Sequence, residues 1–201
     1  LIIPTSCDAK TKMGEALNLF KPTFMLNLPP EQNHGLYAKN AANETRRMVD
    51  FLQKTLKLRL GRRELRKTID LALRRTRLVR DMQELRVENP RCLSIVDLFL
   101  IVQSSQFRPI DLKTWCDEVE TVLDGMRKVE QGRGLRPRVL LTGAPLVWPN
   151  FKVLNLLERC GADVVADTSC TGVQSCYDPV VSDDFSVRGM LRALTNRYVF
   201  A

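Results

Sequence analysis

The stretch LIIPTSCDAKTKMGEALNLFKPTFMLNLPP, residues 1–30, decides the fold class. Leu1 to Ile3 form a short apolar run that ends at Pro4 and reads as a strand. Thr5, Ser6 and Asp8 are each suited to cap a helix, and Lys10 to Phe20 follow with Met13, Ala16, Leu17 and Phe20 on one side. Pro22 ends that helix, because proline breaks the hydrogen-bond ladder. Thr23 to Leu28 read as a second strand, stopped by Pro29 and Pro30. Strand, helix and strand within so short a span predict part of a parallel α/β sheet.

The character changes after Tyr37. From Ala38 to about Asn89 the chain is charged, free of proline and interrupted by glycine only at Gly61, which predicts two long helices that break or bend there. Asn89 and Pro90 close the second. Leu93 to Val102 is apolar enough for a buried helix, with a strand as the alternative on periodicity alone. Asp111 caps a further helix running to about Glu130, closed by Gly132 and Gly134.

The α/β pattern returns at Pro137. Arg138 to Thr142 read as a strand, Gly143-Ala144-Pro145 as the turn after it, and Phe151 to Arg159 as a helix capped by Asn150 and ended by Gly161. Ala162 to Ala166 read as the next strand, delivering Asp167-Thr168-Ser169-Cys170-Thr171-Gly172 to the loop beyond it, and Val187 to Phe200 as a last helix. The expected fold is α/β: portions of two parallel-sheet, flavodoxin- or Rossmann-like domains joined by a long helical segment. Residues 1–37 are expected to form the end of the first domain, 38–136 the helical segment and 137–201 the start of the second. The sequence reads as a piece of a longer protein.

A hydrophobic fraction of 44% and a charged fraction of 27% over 201 residues fit a globular chain and exclude a disordered tail. No window reaches the 18 or so apolar residues of a membrane span, and no signal peptide is recognisable. The net charge of +8 is concentrated: residues 39–91 carry 16 basic and 7 acidic side chains, so the remainder is close to neutral. Such a stripe suits an anionic ligand or acidic partner, or a solvated helix face. With hardly any aromatics to stack on bases, nucleic acid is not the expected partner. The six cysteines include no CxxC pair, so a zinc ribbon is not expected, and reduced thiols in the cytoplasm fit best.

Cys7 is the sharpest local signal. It directly follows a strand and precedes a helix, where amide N–H groups and the helix dipole lower a thiol's pKa. A thiolate so held suits iron or zinc ligation or nucleophilic attack; the alternative is a small buried hydrophobe at a turn. Cys170 occupies the matching place in the second α/β portion, with Gly172 allowing close backbone approach to a bulky group and Cys176 six residues on. Cys92, Cys116 and Cys160 lie in or beside helices and read as core or surface thiols. The lone His34 is placed in a loop, and Asp8 and Asp167 brace the two cysteine loops. Neither GxGxxG nor GxxxxGK[ST] occurs, which gives no case for a bound dinucleotide or ATP on this chain.

Several blocks recur together: Ile3-Pro4-Thr5-Ser6-Cys7-Asp8; Asn27-Leu28-Pro29 with Tyr37 and Glu44; Leu65-Arg66-Lys67-Thr68-Ile69; Glu88-Asn89-Pro90; Arg138 to Pro145 with Asn150; and Asp167 to Gly172. In this order and spacing they resemble the 2-hydroxyacyl-CoA dehydratase D-component family, which includes benzoyl-CoA reductase subunits. The resemblance implies two α/β domains with a [4Fe–4S] cluster between them, ligated by three cysteines per subunit. Cys7 matches the cysteine of the family's Cys-Asp motif and is the expected metal ligand. An earlier ligand is expected upstream of Leu1 and the last beyond Ala201. Cys170 matches a recurrent cysteine of an Asp-x-x-Cys-x-Gly loop and is the second cofactor-binding candidate. Val173 and Gln174 stand where the family often has an arginine, which leaves the substrate open.

The implied activity is that of an iron–sulfur enzyme subunit. A low-potential electron reaches the thioester carbonyl of an acyl-CoA and gives a ketyl radical; hydroxide then leaves in the dehydratases, whereas the ring is reduced in benzoyl-CoA reductases. The implied partners are the acyl-CoA substrate, a homologous second subunit in a heterodimer, and an ATP-dependent iron–sulfur activator. Two alternatives stand beside it: a non-catalytic electron-relay or assembly subunit of the same fold, and a basic helical interaction module.

Overall fold

The computed structural model describes residues 1–27, 34–107, 111–130, 132, 135–169, 172, 176 and 178–199, the side chains of 34–36, 107, 198 and 199 excepted. It is a mixed α/β structure in which, among the described residues, seven helices accompany two small parallel sheets. The chain divides into two compact units, Leu1–Thr68 with Val180–Ala201, and Ile69–Pro179.

In the first unit, strand β1 (Ile2–Pro4) pairs in parallel with β2 (Phe24–Leu26), Ile3 opposite Met25, and helix α1 (Asp8–Leu17) makes the crossover. The residue that caps α1 is Cys7, not Thr5, Ser6 or Asp8. Helix α2 (His34–Leu56) begins earlier than expected and takes in His34, which is therefore not in a loop. It ends where Lys57 adopts a left-handed backbone (φ 53°) and the Leu58 N–H returns to the Gln53 carbonyl at 3.1 Å. The break between the long helices thus opens at Lys57, and Gly61 marks its far side: its carbonyl accepts the N–H of Leu65 as α3 (Arg62–Glu88) begins. Phe24, Ala41, Met190 and Ala193 are buried, and the Phe24 and Phe51 rings lie 5.4 Å apart. Helix α7 (Val187–Val199) packs on α2. The Thr195 hydroxyl lies 2.8 Å from that of Thr45.

The second unit holds a larger core. Val79 and Met82 of α3, Ile95, Leu98 and Val102 of α4 (Ile95–Phe107), and Trp115, Val119 and Leu123 of α5 (Leu112–Met126) pack with Leu154 and Val164. The stretch after Leu93 is therefore helix rather than strand. Ser94 starts it, with its side-chain oxygen accepting the Asp97 N–H at 3.0 Å. Strands β3 (Arg138–Leu141) and β4 (Asp163–Asp167) pair in parallel, with a register shift between Val139 and Leu140. Between them runs α6 (Lys152–Arg159), whose N-cap is Phe151 and not Asn150. Its exit matches expectation, since Gly161 adopts φ +78°, open to glycine at little cost.

Two arginines of the basic stripe are engaged inside the second unit, while most of its basic side chains are exposed. Arg74 of α3 reaches Asp117 at 2.6 Å and Glu120, both on α5. Arg86, 1% exposed, donates to the carbonyls of Leu93 at 2.7 Å and Val164 at 2.6 Å, while Gln83 donates to Val165 at 2.6 Å. Burial pulls the Arg86 pKa down, opposed by the charges of Glu158 and Asp163.

Asp111 caps α5 as expected: its Oδ2 accepts both the N–H and the hydroxyl of Thr114 at 3.0 Å. The helix ends at Met126, short of the expected Glu130, with Arg127 as C-cap in place of Gly132; Gly134 lies outside the described residues. The Thr114 amide, then its hydroxyl, holds the Asp111 carboxyl below its ordinary range. A lowered folded-state pKa gives stability that is present above the unfolded carboxylate pKa and lost as pH falls through the folded one. Asp111→Ala is therefore expected to lower the melting temperature at pH 7. The gap from wild type should shrink below about pH 4, as scanning calorimetry across pH would check.

Candidate functional site

The carboxyl ends of parallel strands are where such sheets present their ligand-binding groups. In the first unit that end is built by residues 5–8 after β1 and Asn27 after β2. The Thr5 N–H donates to the Leu26 carbonyl at 3.0 Å, and the Thr5 hydroxyl lies 3.2 Å from Asn27 Oδ1. Asn27 N–H donates to Glu44 Oε1 at 3.0 Å. Glu44, on α2 and buried, is held in turn by Arg47 at 2.7 Å. Two strand ends and one helix are thereby tied together around the turn that carries Cys7.

Cys7 is exposed, so it is not the small buried hydrophobe of the alternative reading. Its backbone is extended (φ −148°, ψ 132°), as an N-cap residue requires, and its carbonyl accepts the Thr11 N–H at 3.0 Å. The sulfur closes no full capping hydrogen bond. Even so, the backbone amide of Lys10, then that of Ala9, holds the thiol below its ordinary range. Lone-pair donation to iron or zinc and nucleophilic attack both need this thiolate.

The turn makes a direct prediction. In metal-free protein, alkylation of Cys7 by iodoacetamide should rise with pH through a midpoint below that of a free thiol, about 8.5. Peptide mapping by mass spectrometry would read it, and a midpoint at or above the free-thiol value would contradict the amide effect.

At the end of β4, Asp167 Oδ1 accepts the Ser169 N–H at 2.8 Å, and Ser169 is 1% exposed. A Cβ on Gly172 would stand 2.6 Å from the carboxyl carbon and carbonyl oxygen of Asp167. The bulky group that Gly172 accommodates is thus this chain's own aspartate. Cys170 lies outside the described residues. Cys176 is buried with Cys92 and Cys116 in the core of the second unit, where it fills space. Burial pushes the thiols of Cys92 and Cys116 up, so neither is poised as a thiolate. Cys160 is exposed at the C-cap of α6.

Asn150 donates its N–H to the Val147 carbonyl at 2.8 Å, in the turn before α6. The loop that holds it is anchored from α4, where buried Gln103 donates to the Leu146 carbonyl at 3.3 Å. Composition gave no sign of that anchor. Glu44 stood out only as part of the family resemblance, and its bond to Asn27 depends on tertiary packing.

Among the described residues, no group of three or more His, Cys, Asp or Glu side chains is placed to hold a metal ion. None of their helices is long and apolar enough to cross a membrane. What they define is a mixed α/β protein with a thiolate-stabilising cysteine at the carboxyl end of a parallel sheet. The family described as 2-hydroxyglutaryl-CoA dehydratase, D-component, matches residues 1–201, and the chain belongs to it. It is 32% identical over 180 residues to the Escherichia coli (strain K12) protein named "Putative dehydratase subunit YjiM". That match takes in 85% of this chain and 45% of the relative, so the chain spans about half the length of the curated relative it matches.

Proposed function

We propose that this chain is part of the iron–sulfur subunit of a 2-hydroxyacyl-CoA dehydratase, or of a benzoyl-CoA reductase-type enzyme, in which Cys7 ligates a [4Fe–4S] cluster. The observation that carries the reading is the exposed Cys7 sulfur at the N-cap of α1, with its pKa lowered by the amides of Lys10 and Ala9. Its donor chemistry fits a cluster ligand, because iron in such clusters is held by thiolates. Cys170 is a second candidate for contact with the cofactor.

Bound there, a [4Fe–4S] cluster supplies low-potential one-electron chemistry for an acyl-CoA thioester. The chain's own part is to keep Cys7 deprotonated and to direct amide dipoles at its sulfur, which tunes the reduction potential. The Thr5–Asn27–Glu44–Arg47 connections hold the strand ends on either side of the turn that carries Cys7. Family membership supports a multi-subunit enzyme; the proposed partners are a homologous second subunit and an ATP-dependent iron–sulfur activator. The test is the iron held by the full-length protein, purified without oxygen, and its dependence on Cys7.

A further inference from the structure

Within the first unit, helices α2 and α7 enclose a groove of about 680 Å³. Its cationic side is Arg46, Arg188 and Arg192; its apolar side is Ala42, Val187 and Leu191; the Thr45 and Thr195 hydroxyls lie between. All three arginines are exposed, and no carboxylate among the described residues comes within ion-pair distance, 4.0 Å, of any of them. Asp184, the acidic group that senses Arg192, is committed to the Ser186 N–H at 2.8 Å. Arg74 and Arg80 of α3 differ, since each has an acidic partner. Three guanidinium groups with no carboxylate partner among the described residues thus line one concavity, an arrangement that favours an incoming anion.

We propose that the α2–α7 groove binds an organic phosphate, with Arg46, Arg188 and Arg192 taking the phosphate oxygens and Val187 and Leu191 the apolar remainder. Guanidinium forks match phosphate geometry and keep their charge at any pH the protein survives. The volume falls in the range of about 300–1,000 Å³ typical of small-molecule sites, which favours a compact ligand over the flat acidic face of a protein. An acyl-CoA carries such phosphates, and to that extent the inference rests on the function proposed above; the groove chemistry itself does not require iron.

The test is calorimetric titration of the full-length protein at low salt with inorganic pyrophosphate and with ADP, for wild type, the double variant Arg188→Gln/Arg192→Gln, and Arg80→Gln on α3. Each removed guanidinium takes away a charge-assisted hydrogen bond, so the double variant should bind about tenfold or more weakly, and Arg80→Gln as wild type. ADP should bind more tightly than pyrophosphate if the apolar side is used. Undiminished binding by a double variant that melts like wild type would overturn the site, as would no binding of either probe at millimolar concentration. Arginine-dependent binding of a poly-glutamate peptide without either phosphate would reassign the groove to an acidic protein. Iron measured on the same preparations keeps the two proposals apart, since loss of either property with retention of the other defeats one reading only.

Discussion

Full-length protein carrying Cys7→Ser, purified without oxygen, is expected to lose most of its iron and the spectroscopic signal of a four-iron cluster. The hydroxyl of serine has a far higher pKa than a thiol and is a harder donor, so the amides of Lys10 and Ala9 cannot make it an equivalent ligand. Even outer-shell partners of a metal ligand cost roughly 10- to 100-fold in affinity when removed, and a direct ligand should cost at least as much. Cys160→Ser is the matched control, because Cys160 is exposed at the C-cap of α6 in the other unit. Iron content that is unchanged in Cys7→Ser, or lost equally in both variants, would defeat the ligand assignment.

Met82→Ala should destabilise the second unit more than any surface substitution in it. Met82 is fully buried in the core of that unit. Truncations of this kind cost about 2–5 kcal/mol through lost burial and the cavity left behind. Met82→Leu, nearly conserving volume, should cost less than about 1.5 kcal/mol. Hydrogen exchange read by mass spectrometry on peptides from residues 69–179 across a urea series reports this unit separately from the first. Val122→Ala on α5, at a 37% exposed position, sets the baseline. A Met82→Ala loss no larger than that baseline would mean that this core is not close-packed.

Prolines made part of residues 1–30 legible, because they act through their own backbones: Pro4 closes β1 and Pro22 lies between α1 and β2, whereas Leu28, Pro29 and Pro30 lie outside the described residues. The helix caps were less legible. Cys7, Phe151 and Lys57 hold positions that usually fall to serine, asparagine and glycine, and nothing local distinguishes them. For Leu93 to Val102 the sequence left helix and strand open, since an apolar run has no clear period; the carboxylate of Glu158, accepting the Ile95 N–H at 2.6 Å, fixes the helix start from 63 residues away. At the candidate site, Cys7 could be read from its place between a strand and a helix. The Asn27–Glu44 bond could not, because it joins elements whose contact is set by packing.

The crowding between Gly172 and Asp167 confines position 172 to a residue without a side chain. A Cβ at 172 would stand 2.6 Å from the Asp167 carbonyl oxygen as well as from its carboxyl carbon, so a shortened side chain at 167 releases the Ser169 amide without clearing the backbone. No replacement at 167 therefore makes room for a larger residue at 172, and the turn keeps its need for glycine whatever side chain faces it.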